Sequence, residues 1–132
     1  MDIKQLVNEF FAEQNTQNFS INVAISNLRG SGDVQWTNCY SRSCKNMPDE
    51  YGRKECKLDC QWRSVNLLVS RMVSLRSDCR KSTNPDACMK TLNDTMLAER
   101  IKQRKIRDMM SQVRRQKEEF KRNQAAGARG TT

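Results

Sequence analysis

Six cysteines and no histidine narrow the folds open to this 132-residue chain before any other residue is read. The cysteines stand at 39, 44, 56, 60, 79 and 88, with gaps of 4, 11, 3, 18 and 8 residues between them. Without an imidazole, the commonest metal ligand and general base is missing. No gap has the two-residue spacing of a zinc knuckle or a thioredoxin-like redox motif. Three disulfides are therefore the expectation, with no resident metal and no cofactor.

Helical periodicity suggests how the cysteines meet. Leu58, Trp62, Val65, Leu68, Met72, Leu75 and Cys79 recur at steps of three or four, which predicts a helix over 54–80. Asn84 is a good N-cap and Pro85 suits the first helical position, so a second helix is predicted over 85–122. Its apolar stripe is Met89, Leu92, Met96, Ile106, Met110, Val113 and Phe120, with a polar gap at Glu99 and Gln103. So short a connection makes an antiparallel αα-hairpin. Cys79 then lies in the last turn of one helix and Cys88 in the first turn of the next, within bonding reach. Cys56 and Cys60, at i and i+4, share one helix face. A segment returning along that face pairs Cys44 with Cys56 and Cys39 with Cys60. The other arrangement, Cys39 with Cys56 and Cys44 with Cys60, needs a parallel return, which an 11-residue connection makes harder.

The pattern CYSRSC…CKLDC over residues 39–60 resembles the twin-cysteine helical hairpins, such as small chaperones of the mitochondrial intermembrane space and plant hairpin peptides. That resemblance implies nested disulfides and no need for a large core. The first motif departs from it, with four intervening residues instead of three. A competing reading makes Cys39, Cys44, Cys56 and Cys60 an all-thiolate zinc site in a basic nucleic-acid-binding protein.

The remaining segments are shorter. Ile3, Leu6, Val7, Phe10 and Phe11 predict a short amphipathic helix over 2–14. FSINVAI, 19–25, alternates like an extended strand, RGSGD at 29–33 reads as a loop, and NQAAGARGTT at 123–132 as a frayed tail. Aromatic residues make up only 6% of the chain, so the core is thin and the cysteines take on part of the stabilising role. The expected fold is mainly all-α: a disulfide-stapled antiparallel αα-hairpin, a long basic C-terminal helix and a short N-terminal amphipathic helix. The expected division is 1–37, 38–122 and a flexible 123–132.

Charge points to the C-terminal third. Residues 98–132 hold 11 basic and 4 acidic side chains, net +7, whereas residues 1–97 hold 13 and 11, net +2. Reflecting the hairpin about Ser82 sets Lys54 opposite Met110. Everything beyond overhangs, and Val113, Phe120, Arg114, Arg115, Lys117, Lys121 and Arg122 become candidate partner-binding residues. Arg100, Arg104, Arg107, Arg114 and Arg115, with Lys121 or Arg122, also recur along one side, as a phosphate-tracking stripe would, with Asp108, Glu118 and Glu119 interrupting it. Trp36 and Trp62 read as packing residues.

No unbroken apolar run approaches the roughly 20 residues of a spanning helix, so no membrane insertion is expected. MDIKQLVNEFF lacks the plan of a secretory signal, so a cytosolic start is expected. No phosphate-cradling or nucleophile motif is present, and the adjacent carboxylates Glu118 and Glu119 do not face each other on a helix. These features predict a non-enzymatic structural or linking component of a larger protein assembly. A minor capsid or virion protein of a large DNA virus would reach an oxidising assembly without a signal sequence. The alternatives are the zinc-bearing nucleic-acid binder and an intermembrane-space helical subunit. Expected partners are other protein subunits, with an acidic surface or nucleic acid as a further contact of the C-terminal helix.

Overall fold

A computed structural model describes Ile3 and residues 19–130, with side chains as far as Gly127. Apart from Ile3, the amphipathic segment 2–14 lies outside the described residues. Three helices follow in order: α1 (Ile21–Ser43), α2 (Glu50–Arg80) and α3 (Pro85–Gly130). No strand occurs among the described residues. The disulfide-stapled all-α hairpin is thus the observed architecture, with α1 as a further helix laid along α2.

The extended reading of 19–25 is corrected. Ser20 caps α1, its hydroxyl accepting from the Val23 N–H at 3.3 Å. Ile25 is buried, and Ile21 and Leu28 pack against the same core, so the face that matters has steps of four and three. Val23, which completed the alternating pattern, is 59% exposed. The alternation was incidental, because burial selects Ile21, Ile25 and Leu28.

The loop reading of 29–33 is corrected too, since both glycines lie inside α1. At Gly32 α1 and α2 approach closely. A Cβ there would stand 3.2 Å from Ser64 Oγ. That hydroxyl donates to the Gly32 carbonyl at 2.7 Å across the interface. Gly30 has nothing within 4 Å of where its Cβ would be. Gly30→Ala should therefore raise stability by about 0.5–1 kcal/mol through helix propensity alone. Urea unfolding checks this, and a lowered midpoint would refute it.

α2 starts earlier than its apolar stripe suggests. Asp49 caps it, accepting from the Tyr51 N–H at 3.2 Å. Val65, Leu68, Met72 and Cys79 are buried, with Leu58, Trp62 and Leu75 at the margin. The turn to α3 is closed by Asn84, whose side-chain oxygen accepts from the Ala87 N–H at 3.2 Å. Leu92, Met96 and Ile106 of α3 complete the core, and Met72 and Leu92 are wholly enclosed.

Glu99 and Gln103 are not a gap in this interface, since both are buried. Glu99 Oε1 accepts from the Arg29 guanidinium of α1 at 3.1 Å, and Gln103 donates to Asn66 of α2 at 3.4 Å. α3 is also longer than expected, running helical through 123–130. Gln124, Ala125 and Ala126 are strong helix formers, and extending an existing helix needs no new nucleus.

Candidate functional site

The site begins with the staples, which decide what the surface can present. Cys39 bonds Cys60, Cys44 bonds Cys56, and Cys79 bonds Cys88, with Cα separations of 5.7, 5.5 and 5.3 Å. The first two are nested and tie the C-terminal end of α1 to the first turns of α2, as an antiparallel return requires. Cys44 and Cys60 are buried, and their sulfurs lie 3.7 Å apart, so the two bridges stack on each other. The sulfurs of Cys44, Cys56 and Cys60 fall within 4.8 Å of one another for this reason. Each is already in a bond, so none is a thiolate of the kind a zinc ion takes.

The expected overhang is corrected in register. Glu55 pairs with Arg114 at 2.5 Å, and Tyr51 meets Phe120 with ring centroids 5.7 Å apart. The midpoint of 55 and 114 falls between 84 and 85, not at Ser82, because Asn84 and Pro85 start α3 at the very end of the turn. Together with the early start of α2, this carries the paired region to Phe120. Val113 is buried at 9% exposure. Lys117 pairs with Asp49 at 3.3 Å. Partial burial raises the Asp49 carboxyl, but hydrogen bonds from Lys117 and the Tyr51 N–H outweigh it and hold it below the usual carboxylate value.

The seven candidate partner residues therefore divide. Val113, Arg114 and Lys117 close the hairpin on itself. Phe120 is 47% exposed, and Arg115, Lys121 and Arg122 are exposed as well. Beyond Phe120, α3 runs ten further residues to Gly130, about 15 Å at 1.5 Å per residue. Those side chains, as far as Gly127, are exposed.

Clefts flank α3 on both sides. Toward α1, a cleft of about 320 Å³ is walled by Trp36, Leu68, Ile106 and Met109, with Lys102 and Lys105 also lining it. Trp36 donates to Asp33 at 3.4 Å and lies under Lys57. On the flank that α1 does not line, two adjoining depressions share Trp62 and Arg107. The Arg107 guanidinium stands 5.4 Å from the centre of the Trp62 ring. Arg100 and Arg104 border the upper depression and Arg114 the lower. Reading Trp62 as packing alone missed this association. With the hairpin centred between 84 and 85 instead of at Ser82, reflection would have set Trp62 opposite Arg107.

Comparison with known protein families, with characterised proteins and with solved structures finds no match to this chain. No helix among the described residues is long and apolar enough to cross a membrane.

Proposed function

We propose that this protein is a non-enzymatic linking component of a larger protein assembly. The supporting observation is the projecting end of α3. A half-exposed Phe120 sits where the hairpin stops, and a helical arm carrying Lys121 and Arg122 continues past it. The side chains of residues 121–126 are exposed, and a helix end gains most of its stability by packing on another surface. The nested bridges hold the opposite helix in place, so the arm emerges from a rigid base. A minor capsid protein of a virus particle that matures under oxidising conditions is the finer form of this reading. Three disulfides suit such a destination.

Phe120→Asp tests it. The tagged wild-type chain should sediment with particles from the virus or cell that produces it, and the variant should remain in the soluble fraction. Circular dichroism and an unchanged count of free thiols would establish that the hairpin is intact. Equal recovery of both proteins in the particle fraction would overturn the proposal.

A further inference from the structure

We propose that the seam between α2 and α3 around Trp62 is a binding site for the phosphodiester backbone of nucleic acid. The proposal is independent of the projecting arm, because its residues lie on the body of the hairpin.

Three arginines carry it. Arg100, Arg104 and Arg107 are exposed, and none makes an ion pair among the described residues. By contrast, Arg114 is committed to Glu55, Arg63 to Asp59 and Arg29 to Glu99. Three neighbouring guanidinium groups outside any ion pair repel one another, and an anion joining them relieves that repulsion. Trp62 adds preorganisation. Its indole lies against one face of Arg107, as cation–π geometry favours, and holds a long side chain that would otherwise lose rotamer freedom on binding. The planar fork of each guanidinium suits two oxygens of one phosphate.

The layout matches a linear, evenly charged polymer. Arg100, Arg107 and Arg114 repeat every seven residues along one continuous helix. From Arg100 to Arg115 the stripe is about 22 Å long at 1.5 Å per residue. That length faces about six phosphates of one duplex strand at 3.4 Å each. Glu118 and Glu119 end the stripe on its C-terminal side. The other polar groups lining the seam are already engaged, Gln103 with Asn66, Ser111 with the Arg107 carbonyl and the Asp59 carboxylate with Arg63, so the site is assigned to backbone contact without sequence preference.

The test uses the oxidised full-length chain and a fluorescently labelled 20-nucleotide DNA, single-stranded and duplex, followed by anisotropy. Binding should fall with salt, with a log–log slope of about −3 on duplex if three phosphates are neutralised. Replacing Arg100, Arg104 and Arg107 together by Glu should weaken binding about 100-fold and flatten the slope. The milder triple change to Gln, which introduces no new charge, serves if the Glu version loses helicity. Lys121→Glu with Arg122→Glu should change affinity less than about threefold, since these lie outside the seam. Trp62→Leu should weaken binding several-fold while leaving the salt slope in place. Wild-type affinity in the folded Gln variant would overturn the proposal. So would an equal loss in the Lys121/Arg122 variant, which would mean diffuse charge attraction. Equally strong displacement of the DNA by poly-glutamate at matched charge would also overturn it, in favour of acidic protein segments.

Discussion

Reduction and alkylation of all six cysteines is expected to abolish cooperative unfolding of this protein at room temperature. Loop closure gives the scale. Bonds spanning 12 and 9 residues contribute about 2.8 and 2.6 kcal/mol. The Cys39–Cys60 bond encloses the Cys44–Cys56 bridge, so it closes an effective loop of about ten residues and contributes about 2.7 kcal/mol. The total, about 8 kcal/mol, is comparable with the whole stability of an ordinary domain of this size. The core offers little in reserve. It is one layer between helices, and Ile25 is the only fully buried apolar side chain from α1. The reduced chain should lose much of its far-ultraviolet helical signal and melt without a sharp transition. Losing Cys79–Cys88 alone, by Ser substitution at both positions, should lower the urea midpoint and leave the transition cooperative. A reduced, alkylated protein that melts within a few degrees of the native one would show that packing carries the fold.

Arg29→Ala is the point substitution expected to do most damage outside the cysteines. Its guanidinium is the partner of Glu99, whose side chain is only 6% exposed. The second carboxylate oxygen, Oε2, is buried with no hydrogen-bond partner among the described residues. Removing one member of a buried ion pair costs about 3–5 kcal/mol, because the other charge is stranded. The Arg29 side chain is 50% exposed, which solvent screening discounts, so about 2 kcal/mol is expected here. For a chain of this length that lowers Tm by about 6–10 °C. Glu99→Met should behave differently. It removes the charge and the orphaned oxygen together and keeps the volume, so stability should stay within about 1 kcal/mol of the original. Adding Glu99→Met to Arg29→Ala should then recover most of the loss. If Glu99→Met were as harmful as Arg29→Ala, the pair would be net stabilising and this account of it wrong.

Glu99 also marks how far sequence reasoning reached. The chain alone determined the hairpin, its Asn84–Pro85 turn and the apolar stripes from Val65 to Cys79 and from Leu92 to Met96, and it favoured the nested cysteine pairing over the parallel one. Each depends on residues close in the chain, where helical periodicity, capping and short-loop geometry leave few alternatives. Tertiary structure decided the rest. Ile21, Ile25 and Leu28 became a helix face because α2 offered a surface at that spacing. Gly32 became a contact, not a bend, because Ser64 lies across from it. Glu99 and Gln103 entered the interface because Arg29 and Asn66 meet them there. The pairing of Arg114 with Glu55 and the seating of Arg107 on Trp62 followed from a hairpin register that local rules place only to within a turn. A side chain's partner across an interface depends on the sum of small axial offsets along two long helices, and local propensity does not constrain that sum.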